Sequence, residues 1–250
     1  MQSANAETES DIQVLYEDDD VVVINKPAGM LVHDDGSGTE HTVVDWLLAL
    51  APEARAVGEP GHAQDGSELT RSGVVHRLDK DTSGVLILAK TNEAFQHLKA
   101  QFKDRHAKKE YRAFVYGAMR EKWGTVDRPI GRSAKDFRKR SAERGSRGMR
   151  RNAVTDWELI GQNDEYAYLK VLPKTGRTHQ IRVHLKAIGR PVVGDALYAP
   201  KNLLEQDNLG FSRLALHAYM LSIGLPNGET KRFIAPLPPE FEAAETALAT

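Results

Sequence analysis

Val74-Val75-His76-Arg77-Leu78-Asp79-Lys80-Asp81-Thr82-Ser83-Gly84-Val85-Leu86-Ile87-Leu88-Ala89 sets two carboxylates between two apolar segments, and both segments read as buried strands. A carboxylate in that setting is costly unless it is paired or put to use. Thr82, Ser83 and Gly84 read as a turn of small side chains that would let a ligand approach Asp79 closely. The bland reading of the stretch is a solvated turn between strands. A sharper rival is the Asp-x-Asp-x-Thr motif of phosphohydrolases, whose spacing Asp79 and Asp81 share. Against it, Ser83 stands at the threonine position, and His76 and Arg77 interrupt the apolar strand such a site would follow.

Upstream, Ile12 to Tyr16 and Val21 to Asn25 are predicted strands joined by the acidic turn Glu17 to Asp20. The turn Lys26-Pro27-Ala28-Gly29 follows, with Gly29 expected at positive φ and Lys26 and Pro27 read as structural. Leu31 to His33 reads as a short strand. Thr42 is placed to cap a helix carrying Val43, Trp46, Leu47 and Leu50, and Ala51 to Ser72 reads as a loop. Downstream, Thr91 or Asn92 caps a predicted helix with Phe95, Leu98 and Phe102 at helical spacing and a basic end suited to the helix C-terminus. Tyr111 to Tyr116, Val154 to Ile160, Tyr166 to Leu172 and Leu216 to Ile223 have the period and composition of strands. Many strands with few helices predict an α+β fold on a mixed, largely antiparallel sheet with flanking helices.

A chain of 250 residues, 40% hydrophobic, can bury a full core, which excludes disorder throughout. No apolar run reaches membrane-spanning length, and Met1 to Asp11 is polar and acidic rather than basic then apolar, so a cytoplasmic protein is expected. With no cysteine there is neither a disulfide nor a thiolate metal site, which leaves chemistry to carboxylates, hydroxyls, histidines or a cofactor. The net charge of −1 conceals a segregation: residues 21–232 hold 34 basic against 25 acidic side chains. Nine of those bases fall between Arg132 and Arg151, among them Arg138, Lys139 and Arg140. That stretch reads as a mobile basic loop suited to phosphates, solvated surface being the alternative.

The second informative segment is Pro173-Lys174-Thr175-Gly176-Arg177-Thr178-His179-Gln180-Ile181-Arg182-Val183-His184. Thr178 is placed to cap a helix that Gly189 ends, with Ile181, Leu185 and Ile188 on its buried face, although the alternation of Ile181, Val183 and Leu185 also fits a strand. On a helix His179 and His184 would lie about 140° apart, which disfavours a shared metal site and points to hydrogen bonding instead.

The Asp79 segment resembles the motif around the catalytic aspartate of the RluA family of RNA pseudouridine synthases, here His76-Arg77-Leu78-Asp79 followed by Thr82-Ser83-Gly84. Further segments resemble the same family in its order: Asn25-Lys26-Pro27 to His33, Lys109-Glu110-Tyr111-Arg112-Ala113, the Lys174 to His184 run, Gly194-Asp195 to Tyr198, and Leu216-His217-Ala218. The likeness lapses at Ala199, where glycine is usual, and at Leu225-Pro226, where His-Pro is common.

The resemblance implies a pseudouridine synthase fold and isomerisation of uridine to pseudouridine in ribosomal or transfer RNA, with no metal or organic cofactor. It gives Asp79 the role of nucleophile or base at the sugar and Arg182 that of keeping the carboxylate ionised; Tyr111 would stack on the uracil. Arg77 would fill the gap left by a flipped uridine, a salt bridge within the protein being the alternative. Lys174 and Arg177, flanking Gly176, would meet phosphates together with Arg138, Lys139 and Arg140. The expected organisation is an acidic, disordered segment 1–11, one catalytic domain 12–240, a tail 241–250, and no separate N-terminal RNA-binding domain. The rivals are a non-catalytic RNA-binding protein, which would not need Asp79, Tyr111 and Arg182 together, and a Mg²⁺-dependent phosphohydrolase.

Overall fold

The structure, a computed structural model, describes residues 12–34, 41–59, 61–62, 68–69, 71–136, 138–143 and 146–248. The expectation of disorder over 1–11 lies outside these residues. The chain divides into two compact units, one of residues 1–108 with 220–235 and one of 109–219 with 236–250.

The first unit opens with β1 (Gln13–Glu17) and β2 (Val21–Lys26), an antiparallel pair closed by the acidic turn, in which Asp18 accepts the N–H groups of Asp20 and Val21. A helix, α1 (Val43–Leu50), follows and is capped as predicted. Thr42 Oγ1 accepts the Asp45 N–H while the Asp45 carboxylate takes the Thr42 N–H, a reciprocal capping box. Leu31 makes only a parallel bridge to Thr42, so the short strand expected there is absent. The stretch read as a loop holds a 3-10 turn at Pro52–Ala56 and two short paired strands, β3 (Gly61–His62) and β4 (Glu68–Leu69).

Next come β5 (Ser83–Ala89), antiparallel to β2, and helix α2 (Asn92–Lys103), capped by Thr91 with Phe95 and Leu98 buried. Val21 to Ile24 and Leu86 to Ala89 are fully buried, which is why both strands read as near-continuous apolar runs. Ser83 and Gly84 belong to β5, so the turn spans Asp79 to Thr82, closed by the Thr82 N–H on the Asp79 carbonyl at 3.1 Å. Val74-Val75, expected as a strand, contributes one bridge, to Leu88. The imidazole of His76 accepts the Ile87 N–H at 3.1 Å, so a side chain takes the place of a ladder bond.

In the second unit β6 (Lys108–Tyr116) pairs with β12 (Tyr166–Pro173), β12 with β11 (Val154–Gln162), and β11 with β7 (Trp123–Asp127), all antiparallel. The basic stretch is not wholly a loop: β8 (Ile130–Arg132) lies between β9 (Arg140–Ser141) and β10 (Arg147–Arg151) in a separate antiparallel sheet. Helix α3 (Gln180–Ala187) settles the helix-or-strand ambiguity in favour of helix, with Ile181 and Leu185 buried and Gly189 just beyond its end. Its start is not the predicted threonine cap. His179 is the capping residue, in the left-handed region at φ 57°, and caps through no side-chain bond. Gln180 does the anchoring instead: its carbonyl accepts Thr175 Oγ1–H and Arg177 N–H, and its amide donates to Val154 O and Thr155 Oγ1.

A short helix, α4 (Lys201–Leu204), precedes β13 (Leu216–Gly224), which runs from the second unit into the first and pairs there with β14 (Thr230–Ile234). Residues 241–250, expected as a tail, form for most of their length helix α5 (Pro239–Leu248), with Pro239 preset for the first turn. Phe241 is fully buried and packs with Phe114 and Phe211 of the second unit.

His184, fully buried, is held as a neutral ring. Nε2–H donates to the Arg128 carbonyl at 2.9 Å, which leaves Nδ1 of the neutral ring to accept the Thr155 Oγ1 proton, also at 2.9 Å. Burial holds the imidazole below its ordinary pKa of 6.5. Below that pH the unfolded chain takes up a proton that the folded site refuses, so stability is lost on acidification. Thermal melts from pH 7.5 to 5 should show Tm falling below about 6.5, and His184→Gln should flatten that dependence.

Candidate active site

Asp79 sits half-buried at the head of its turn, after the buried Leu78. What fixes the turn is Lys26, the last residue of β2, whose side chain is wholly shielded from solvent. Its ammonium donates to the carbonyls of Pro27 (2.7 Å), Met30 (2.8 Å) and Lys80 (3.0 Å), and the Gly29 N–H also reaches Lys80 O at 2.9 Å. Gly29 has φ +84°, as expected for that tight return. The structural reading of Lys26 therefore holds, with a consequence for the site: one buried cation clamps the residue next to Asp79. Arg77 is exposed, and its guanidinium lies 3.3 Å from His33 Nε2. His33 Nδ1 donates to the Asp34 carbonyl, which leaves Nε2 as the acceptor and the ring neutral. Among the described residues no carboxylate pairs with Arg77, so the salt-bridge alternative is not seen.

In the second unit Tyr111 stands on β6 opposite Val171, half-buried against the aromatic core. Arg182 projects from α3 and is buried. Asp195, 1% exposed, takes it in a fork, Nε to Oδ2 and Nη2 to Oδ1, both at 2.8 Å. Oδ1 also accepts the N–H groups of Leu197 and Tyr198 at 3.1 Å, so the carboxylate is satisfied by four donated bonds. The Arg182 guanidinium lies over the Tyr198 ring, 5.0 Å from its centroid. The Tyr198 hydroxyl accepts the Arg140 backbone N–H at 2.8 Å and meets His179 Nδ1 at 2.7 Å. The arrangement thus joins Arg182, Asp195, Tyr198, His179 and the backbone of β9.

The remaining cations are spread over the surface of this unit. Arg138 grips Asp136 through two nitrogens, at 3.1 and 2.9 Å, and its hydrogen bonds hold that carboxyl at about 2. Lys174 pairs with Asp156 at 2.8 Å, Arg177 Nε donates to the Asn152 carbonyl at 3.2 Å, and the Lys139 backbone N–H bonds the Asp136 carbonyl. Among the described residues there is no cluster of three or more histidines and carboxylates placed to hold a metal ion, and no helix is long and apolar enough to cross a membrane. Sequence reasoning missed Asp195 as the partner of Arg182. Its signal was an acid one glycine after the apolar Val192-Val193, which, like Asp79, requires a partner.

A model of the RNA pseudouridylate synthase family matches residues 20–187. An uncharacterized RNA pseudouridine synthase of Synechocystis is 40% identical over 232 residues, 92% of this chain and 67% of the relative. Ribosomal large subunit pseudouridine synthase D of Xanthomonas campestris is 40% identical over 246 residues, 95% of this chain and 69% of that protein. Among solved structures, human RNA Pseudouridylate Synthase Domain Containing 1 superposes with a TM-score of 0.74 at 26% identity, covering 96% of this chain and 90% of its own. Human RNA Pseudouridylate Synthase Domain Containing 4 gives 0.71 at 29% identity, over 95% and 93%. The α+β fold with its large, mostly antiparallel sheet is that of pseudouridine synthases. The chain belongs to the RNA pseudouridylate synthase family, in its RluA branch, and is an isomerase of RNA uridines.

Breaking a buried ion pair from one side leaves the other charge unsolvated. Asp195→Asn should therefore destabilise the protein by about 3–5 kcal/mol in urea unfolding, and adding Arg182→Met should recover part of that loss, because the amide oxygen still accepts the Leu197 and Tyr198 N–H groups while the unpaired charge is gone.

Proposed function

We propose that this pseudouridine synthase converts a specific uridine of a structured RNA, ribosomal RNA in the first instance, with Asp79 as its essential carboxylate. The observation that carries the reading is the clamped turn: a half-buried aspartate whose neighbour, Lys80, is fixed by a buried lysine, within the segment matched by the family model. Ribosomal RNA is favoured over transfer RNA because relatives at 38–40% identity are named ribosomal large subunit pseudouridine synthases. The conversion breaks the bond from the ribose C1′ to N1 of uracil, turns the ring, forms the bond from C1′ to C5, and finally moves the C5 proton to N1. No electrons are exchanged, so a positioned carboxylate and proton acceptors suffice for the protein's part.

Asp79 opens the sequence, either by adding to C1′ or by removing a ribose proton. Tyr111 stacks on the uracil and its hydroxyl helps carry the C5 proton, while Arg182 has the supporting role that the family resemblance implies. Arg77, exposed and held by a neutral imidazole, takes the space that the flipped uridine leaves. The cations of the basic sheet, with Lys174 and Arg177, hold phosphates. Exposed ion pairs such as Arg138–Asp136 are worth little in themselves, so exchange for a phosphate costs little.

Two measurements test this reading. Asp79→Asn is nearly isosteric but neutral, so a folded variant should bind ribosomal RNA and yet form no detectable pseudouridine, while wild-type turnover should survive a chelator. Appreciable product from the variant sinks the mechanism, and loss of wild-type turnover in chelator favours metal-dependent chemistry. Replacing Arg138, Lys139 and Arg140 together by glutamine should weaken RNA binding and lower the slope of log affinity against log salt by roughly two to three units. An unchanged slope removes these residues from the interface.

A further inference from the structure

Lys109 is a cation of the second unit whose setting the reaction as described leaves unexplained. It lies on β6 two residues before Tyr111, so both side chains issue from the same face of the strand, with origins about 7 Å apart. Continuing the β6–β12 ladder from Tyr111 opposite Val171 brings Lys109 beside Pro173 and the turn that follows. Its ammonium has three protons to donate and, among the described residues, one bond: to the Thr175 carbonyl, at 3.4 Å, near the limit of what counts as a hydrogen bond. It makes no ion pair among those residues. Burial alone lowers its pKa to about 8, with no carboxylate near enough to offset the loss of solvation.

The turn beside this amine carries no side chain at its nearest position, Gly176. Gly176 does not adopt positive φ, so backbone conformation does not require glycine there. A Cβ at that position would instead sit 3.7 Å from Lys109 Nζ, over the ammonium. The turn is also rigid, because the Gln180 side chain fixes Thr175 Oγ1 and the Arg177 N–H. The cations flanking the glycine are already engaged, Lys174 with Asp156 and Arg177 with the Asn152 carbonyl. A half-buried ammonium with donors to spare, beside a turn whose glycine keeps a side chain off it and whose flanking residues are cations, calls for an anionic oxygen.

We propose that Lys109, seen through the gap at Gly176, is the seat of a backbone phosphate of the RNA, adjacent to the target uridine. Adjacency rests on the proposed stacking of uracil on Tyr111; the seat itself rests on the geometry of Lys109. Its contribution is a charge-assisted hydrogen bond formed only when RNA arrives, so it adds affinity and register rather than chemistry.

The test is a coupling cycle on the shortest ribosomal RNA fragment that the wild-type protein binds, made with single methylphosphonate linkages, which remove one phosphate charge at a time. Lys109→Met should weaken binding of the unmodified fragment by about tenfold and lower the salt slope by about 0.7–0.9. At one linkage the wild-type protein should lose the same factor, and there the variant should lose nothing further. Gly176→Ala should weaken binding in the same linkage-specific way, and Lys109→Arg should retain most of it. In the unaltered protein, Lys109 should be acetylated readily at pH 7.5 and protected by the fragment, but not by the fragment carrying the methylphosphonate at that linkage. If no linkage couples to Lys109, or every methylphosphonate leaves it protected, the seat does not exist. Pseudouridine formation is scored separately on the same fragment. Failure there counts against the proposed function and leaves the binding cycle readable, while coupling at a linkage remote from the modified uridine overturns adjacency.

Discussion

The fork between Arg182 and Asp195 is the interaction on which the second unit's functional face depends. Two charges taken out of water are tolerated only where geometry is good and the remaining lone pairs are filled. Here Leu197 and Tyr198 supply backbone N–H groups to the same carboxylate oxygen that takes Arg182 Nη2. Satisfying Asp195 therefore sets the course of the chain through Tyr198 and places that ring beneath the guanidinium. The hydroxyl of the same tyrosine binds the backbone at Arg140 and the ring of His179, so the basic sheet and the start of α3 are positioned from one buried anion. His179 itself stands at positive φ, a conformation that costs a non-glycine residue about 1 kcal/mol or more and persists only when neighbours over-determine it.

The first unit solves the complementary problem with a buried cation. Lys26 faces three carbonyls and so replaces water by fixed dipoles around its ammonium. Turns that present a reactive side chain are ordinarily the least stable parts of a fold, because their backbone groups face solvent. Drawing Lys80 O onto a buried ammonium at the end of β2 ties the Asp79 turn to a strand whose first four residues are fully buried. Preorganisation of this kind holds the backbone of an exposed turn in one place before any ligand arrives.

What the sequence revealed depended on whether the controlling interaction was local. The strands β2 and β5 were legible because burial on both faces writes a continuous apolar run, and α2 because Thr91 and the spacing of Phe95, Leu98 and Phe102 are short-range signals. The basic stretch looked like a loop because its Arg- and Gly-rich composition carries no alternation of apolar residues, although two strands form within it and pair with β8 at its start. Val74-Val75 looked like a strand, but the bond that shapes it runs from the Ile87 N–H to an imidazole, which leaves no periodic trace. In α5 the decisive contact is one aromatic, Phe241, in a segment otherwise acidic and small, so a tail was the natural reading. The proposed roles of Asp79, Tyr111 and Arg182 rest on ordered motifs, whereas the Arg182–Asp195 bond spans 13 residues and exists only after folding.

The cations divide by what already satisfies them, and that division separates attraction from register. Arg138 and Lys174 are exposed and paired with carboxylates, so their fields are partly cancelled at close range and screened within about 8–10 Å in physiological salt. Such groups draw a polyanion to a face and exchange partners readily, which gives affinity without a fixed geometry. A half-buried ammonium with a single long hydrogen bond behaves differently. Its desolvation has been incurred in folding, it has few positions to adopt, and an anion that reaches it must be placed to within the length of a hydrogen bond. An enzyme that acts on uridines within a polyanion is served by both kinds of group, and here the second kind lies on the strand that also carries Tyr111.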